Sequence, residues 1–139
     1  MQKLKLVIWD LDETFWKGTL SEGEIVPISE NIDLVKQLTK RGIINSICSK
    51  NDFEQAKNKL VELGVWDYFV FPSISWNPKG ECVKNIVKNC QLRNPNIIFV
   101  DDNSQNLQEV LFYNEGINVV LPADKKPPVV ANLVTWKDA

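Results

Sequence analysis

The stretch Leu4-Lys5-Leu6-Val7-Ile8-Trp9-Asp10-Leu11-Asp12-Glu13-Thr14 decides how the rest of the chain is read. From Leu4 to Trp9 it is short, apolar and β-branched, the pattern of a strand buried on both faces. Asp10 ends that run abruptly, and Asp12 follows two residues on. In an extended segment residues two apart project to the same side.

Working outward, the same pattern returns. Apolar residues Ile32, Leu34, Val35 and Leu38 recur at helical spacing over residues 29–41, and Gly42 supplies the stop. Residues 43–48 form a second strand. Asn51 or Asp52 caps a helix carrying Phe53, Ala56, Leu60 and Leu63, ended by Gly64. Residues 68–71 are a third short strand, and a helix runs from near Pro78 to about Cys90. A fourth strand over 96–100, a helix over 104–114 and a fifth strand over 117–121 complete the alternation. Residues 14–28 are an irregular loop or a hairpin, and residues 122–139, with Pro122, Pro127 and Pro128, are a C-terminal extension on one domain spanning 1–139. Strands alternating with helices of this length imply right-handed βαβ units. The fold class is therefore α/β, a Rossmann-like three-layer αβα sandwich on a five-stranded, mostly parallel sheet.

Composition narrows the function. The 139 residues carry a net charge of -2, with 44% apolar and 24% charged residues, so neither nucleic acid nor an anionic membrane is an expected partner. There is no histidine. That excludes Ser-His-Asp and Cys-His catalysis and His-ligated zinc. Cys48, Cys82 and Cys90 lack CxxC spacing and sit in apolar patterns, as reduced and mostly buried thiols of a cytoplasmic protein. The apolar run after the basic N-terminus is too short for a signal core, and no run approaches the roughly 20 residues of a membrane span.

Ligands of parallel α/β sheets bind at the carboxyl ends of the strands. Those ends carry Asp10 and Asp12 on the first strand, Ser49, Lys50 and Asn51 on the second, and Asp101 and Asp102 on the fourth; Lys79 opens the helix after the third. Crowded carboxylates repel and raise one another's pKa, a penalty that a bound divalent cation reverses. An all-oxygen donor set favours Mg²⁺. Phosphoryl transfer suits this group. One of Asp10 and Asp12 can attack phosphorus, while the other protonates the leaving oxygen and then activates water. Ser49, with backbone N–H groups at a helix start, can hold phosphoryl oxygens, and Lys79 adds a fixed positive charge. Each residue also has a plainer reading: Ser49, Asn51 and Asp52 as helix caps, Lys79 as a solvated lysine. Trp9, Trp66 and Trp76 read as core or rim packing, and Trp16 as either packing or a wall of the substrate site.

With DxDxT (Asp10, Asp12, Thr14), Ser49, Lys79 and the pair Asp101-Asp102 in this order, each after a strand, the chain resembles the haloacid dehalogenase (HAD) superfamily. The match runs from residue 4 to about 121. Asp-Leu-Asp-Glu-Thr-Phe-Trp, Cys-Ser-Lys-Asn-Asp and Val-Asp-Asp-Asn look like its FkbH-like branch, with magnesium-dependent phosphatase-1 a close cousin. The resemblance implies Asp10 as nucleophile, Asp12 as acid and base, and Mg²⁺ held by Asp10, the Asp12 backbone carbonyl and Asp102. Asp101 would steady Lys79 or a metal-bound water, although either member of the pair could touch the metal. Phe15 and Lys17 depart from the FkbH-like pattern, as does the want of that branch's further domain.

Neither the stretch after Thr14 nor that between Asn51 and Lys79 is long enough for a cap domain. The expected protein is a capless, Mg²⁺-dependent phosphohydrolase acting on a phosphorylated small molecule or phosphoprotein through an aspartyl-phosphate. The alternative is FkbH-type transfer from a phosphorylated three-carbon acid to a carrier protein. A receiver domain is excluded by order, because its acidic pair follows the first strand, whereas here that pair comes late.

Overall fold

A computed structural model describes residues 3–122; of the expected C-terminal extension, all but Pro122 lies outside the described residues. The strands are β1 (Leu6–Trp9), β2 (Trp16–Lys17), β3 (Val26–Pro27), β4 (Ile44–Ser49), β5 (Ser73–Ile74), β6 (Ile97–Val100) and β7 (Asn118–Val120). The helices are α1 (Ser29–Lys40), α2 (Phe53–Glu62), α3 (Lys79–Cys90) and α4 (Ser104–Tyr113).

Five strands form one sheet in the order β5-β4-β1-β6-β7, every pairing parallel. Alternate residues of each strand feed two separate cores. Val7, Trp9, Ile47, Ile98 and Val100 pack against Leu34, Val35 and Leu38 of α1 and Ala56 and Leu60 of α2. Leu6, Ile8, Cys48, Ile97 and Phe99 pack against Val83, Ile86 and Val87 of α3 and Leu107 and Val110 of α4. Both sheet faces are thus covered, which explains why these strands read as continuous apolar runs. Fully burying one such side chain contributes about 1.5–3 kcal/mol. Asn45, a polar residue in the middle of β4, is fully satisfied: it accepts from Trp9 Nε1 at 2.9 Å and donates to the Val35 carbonyl at 3.2 Å.

The chain order reverses at β1. The first crossovers build toward β4 and β5, and the later ones place β6 and β7 on the other side. Such a switch point opens a crevice at the strand ends, where α/β folds bind ligands. Residues 16–27 form a small antiparallel hairpin, β2 with β3, beside that crevice. The segment between β4 and α3 holds only α2, a single 3₁₀ turn and β5. Neither segment holds a cap domain.

One element differs from expectation. The third strand is not residues 68–71 but Ser73–Ile74. Trp66–Tyr68 is a 3₁₀ turn, Phe69 makes one isolated bridge to Asn45, and Phe71 takes a positive φ of 51° that no strand tolerates. The apolar run there is explained by packing, since buried Phe69 meets Phe15 edge-on at 5.7 Å. Among the described residues no helix is long and apolar enough to cross a membrane.

Candidate active site

The chain leaves β1 through Asp10 into a single wide turn, Leu11–Phe15, and the turn is irregular for a reason. Asp12 is extended (φ -58, ψ 128) and Glu13 is left-handed (φ 59), which turns the chain back toward the hairpin. Two ties hold it: the Glu13 N–H donates to the Gly18 carbonyl and the Gly18 N–H donates to Glu13 Oε1 at 2.8 Å. From α1, buried Asn31 donates to the Thr14 and Phe15 carbonyls at 3.2 and 3.1 Å.

Asp10, Asp101 and Asp102 converge at the ends of the adjacent strands β1 and β6, each offering a carboxylate oxygen within 4.8 Å of the others. Lys79, the first residue of α3, reaches them from across the sheet edge. Its Nζ lies 2.8 Å from Asp10 Oδ1 and 2.7 Å from Asp101 Oδ2, and all three residues are buried. Burial pushes the Asp10 carboxyl up from 3.8 to about 7; Lys79 opposes this, but Lys79 is shared with Asp101, whose charge raises Asp10 further. Lys79 itself is raised, since Asp10 and Asp101 together outweigh the effect of burial. Three carboxylates against one ammonium leave two negative charges. A dication balances them, and an all-oxygen set suits a hard one.

The acidic pair divides as its alternation on leaving β6 requires. Asp101 is fully buried and saturated: besides Lys79 it accepts from the Asn103 N–H at 2.9 Å and from Asn106 Nδ2 at 3.1 Å. Asp102 is half-buried, and Thr14 joins it to Asp10. The Thr14 hydroxyl lies 3.2 Å from Asp10 Oδ2 and 3.2 Å from Asp102 Oδ1, and it also accepts from the Asp102 N–H at 3.1 Å.

Asp12 stands apart from that cluster. Its Oδ1 accepts from Trp16 Nε1 and from the Leu20 N–H, both at 3.0 Å, and its Oδ2 accepts from Asn51 Nδ2 at 3.0 Å. The Asp12 carboxylate is therefore not grouped with the metal-type carboxylates. Trp16 is a fully buried strut holding Asp12, and does not line an open wall. Of the two candidate caps, Asp52 performs that task, accepting from the Gln55 N–H at 2.9 Å. Asn51 instead bridges Asp12 and Ser49, whose Oγ is 3.4 Å from its amide. Lys50 is exposed on the same loop. Trp76 is no core residue: it is 67% exposed on the loop that leads into Lys79. Asn31 and Asn106 escaped the sequence reading as site residues, and Thr14 entered it only as a motif position without a role. A buried-side helix position carrying Asn was the only signal for the first.

No family model matches the chain, and no curated protein does. Solved structures do. The N-terminal part of a Bacteroides fragilis protein, containing a phosphatase domain and complexed with Mg, superposes with TM-score 0.78 at 24% identity, over 97% of this chain and 40% of that one. A HAD-superfamily hydrolase from Ehrlichia chaffeensis matches with TM-score 0.76 at 13% identity, over all of both chains. The 3-deoxy-D-manno-octulosonate 8-phosphate phosphatase of Moraxella catarrhalis, in complex with magnesium, phosphate and sugar, matches with TM-score 0.66 at 16% identity, over 96% of this chain and 87% of that one. The chain thus spans two fifths of the solved Bacteroides chain, itself the N-terminal part of its protein. The sheet order and the comparisons together show an α/β fold shared with these phosphatase structures and with the hydrolase of the haloacid dehalogenase superfamily, and neither the stretch after Thr14 nor that between β4 and α3 holds a cap domain. They do not single out that superfamily's FkbH-like branch.

Proposed function

We propose that the protein is a phosphohydrolase that cleaves a phosphomonoester with Mg²⁺ bound, Asp10 being its nucleophile. The observation that carries this reading is the convergence of Asp10, Asp101 and Asp102 around Lys79 at the open end of β1 and β6. Asp10, Asp102 and the Asp12 backbone carbonyl would hold the ion. It would supply charge neutralisation for the carboxylates and for the oxygens of a bound phosphate.

An Asp10 carboxylate oxygen attacks phosphorus, and the bond to the leaving oxygen breaks as Asp12 gives that oxygen a proton. Asp12 then takes a proton from water, and the water oxygen attacks the aspartyl-phosphate, releasing phosphate and restoring Asp10. Lys79 and the Ser49 hydroxyl stabilise the charge on the phosphoryl oxygens, with Lys50 at the outer edge of that loop. Asp101 holds the Lys79 ammonium in place; Trp16, Leu20 and Asn51 orient Asp12. With no cap, the site faces solvent, which suits a phosphorylated small molecule or a phosphoprotein side chain.

Release of phosphate from an aryl phosphate, with and without Mg²⁺, tests this. Mg²⁺-dependent release lost in Asp10→Asn is the expected result. Release unaffected by either change overturns the reading. Transfer of an acyl group from a phosphoglycerate-type donor to a carrier protein, without free phosphate, would favour the transferase alternative.

A further inference from the structure

Of the four tryptophans among the described residues, three are held by neighbours. Asn45 takes the Trp9 indole N–H, Asp12 takes that of Trp16, and the Trp66 ring meets Phe53 edge-on with Lys57 over its face. Trp76 has no hydrogen-bond or ring partner among the described residues, and it is 67% exposed. An exposed indole forgoes the burial that so large a side chain normally gains.

Its backbone, by contrast, is tied on both sides to the candidate site. β5 runs parallel to β4 with Ile74 opposite Ser49, and the Ser75 N–H donates to the Ser49 carbonyl at 3.1 Å. On the other side the Asn77 N–H donates to the Ser75 hydroxyl at 3.3 Å, and the Pro78 carbonyl accepts from the Cys82 N–H at 3.2 Å to begin α3. Lys79 follows, its ammonium 2.8 Å from Asp10. Trp76 thus stands one residue from the tie to Ser49 and three from Lys79, a span of at most about 11 Å.

Resting on the phosphohydrolase reading above, we propose that Trp76 is a stacking platform for the leaving group. The substrate class is then a phosphomonoester carrying a planar aromatic ring, joined to the ester oxygen directly or through a sugar. Lys79 and Ser49 hold the phosphate end, which an uncharged indole cannot do. Trp76 holds the other end, offering a broad rigid face that costs little conformational entropy to fix. A ring laid on that face removes apolar surface of both partners from water, and π-faces stack on one another whatever their substituents. A short aliphatic leaving group offers neither. Because the platform lies away from the reacting atoms, it holds substrate and transition state alike, so its loss acts on KM rather than kcat.

Phosphate release with Mg²⁺ from phenyl phosphate, a nucleoside monophosphate and glycerol phosphate tests this in the parent protein, Trp76→Ala and Trp76→Phe. The ratio of kcat/KM for the aromatic substrates over glycerol phosphate should fall about tenfold in Trp76→Ala, through KM, and recover in Trp76→Phe. Whichever aromatic substrate loses more shows whether the ring is joined directly or through a sugar. A titration that needs no turnover accompanies it: the aromatic phosphates should quench tryptophan fluorescence where glycerol phosphate does not, and Trp76→Phe should abolish the quench. An equal fall for all three substrates, or none, overturns the stacking role and leaves the phosphohydrolase reading standing. A Trp76-dependent quench without phosphate release from any substrate keeps the platform and overturns the phosphohydrolase reading. Neither quench nor release overturns both.

Discussion

The Asn51 amide nitrogen lies 3.0 Å from an Asp12 carboxylate oxygen, joining residues 39 positions apart at the ends of β4 and β1. This contact orients Asp12 from the phosphate side, while Trp16 and the Leu20 N–H grip its other oxygen from the hairpin side.

Asn51→Ala should therefore lower kcat about tenfold, equivalent to about 1.4 kcal/mol of transition-state stabilisation, with little change in the melting temperature. Because the residue acts through Asp12, the pH profile of kcat should shift as well, whereas a purely structural role would leave it in place. Steady-state kinetics across pH on the variant and the parent protein check this.

The raised Asp10 carboxyl links stability to pH. Its folded value is about 7 against 3.8 for the free group, so the folded state holds this proton more tightly. The stability it contributes is complete below pH 3.8 and is lost as pH climbs through 7. The metal-free protein should melt at lower temperature at pH 8 than at pH 5, and Asp10→Asn should flatten that trend. Since the ion and the proton compete for Asp10, the rise in melting temperature on adding Mg²⁺ should be larger at pH 8 than at pH 6.

Lys79 pairs with two buried carboxylates at once. Lys79→Ala leaves them uncompensated, and the expected loss is about 3–5 kcal/mol in urea unfolding of the metal-free protein near neutral pH. The loss should shrink as pH falls below 7, where protonation of Asp10 removes part of the stranded charge. Turnover should fall below detection at every pH.

Gly80 follows Lys79 directly, and a side chain there would strike the Tyr113 ring of α4. Gly80→Ala should cost about 1–3 kcal/mol of stability. Adding Tyr113→Ala should recover part of it, a coupling that a double-mutant cycle measures.

The sheet was legible in the sequence because a parallel strand covered on both faces must be apolar throughout, as residues 6–9 and 97–100 are. The same logic misplaced the third strand. The apolar residues at 68–71 pack a rim, while the true edge strand is two residues of modest hydrophobicity, Ser73 and Ile74. Asp10, Lys79 and the acidic pair could be found because the fold rule puts strand ends together. Their division of labour was implied only by the family resemblance, not by the residues themselves. Asp101 and Asp102 are neighbours in sequence, and only the direction each takes on leaving β6 buries one against Lys79 and leaves the other half-open. The struts of Asp12 were equally hidden, because Trp16 and Leu20 reach it only after the hairpin folds back, and Asn51 only across the sheet.

The most direct measurement is acid quenching during turnover of an aryl phosphate with Mg²⁺, followed by peptide mapping for an acid-stable, hydroxylamine-labile phosphoryl group. One phosphoryl group on the peptide bearing Asp10, accumulating further in Asp12→Asn and missing when Mg²⁺ is withheld, is the expected result. Phosphate released in the presence of Mg²⁺ while Asp10 stays unmodified in both proteins would contradict nucleophilic attack by this carboxylate.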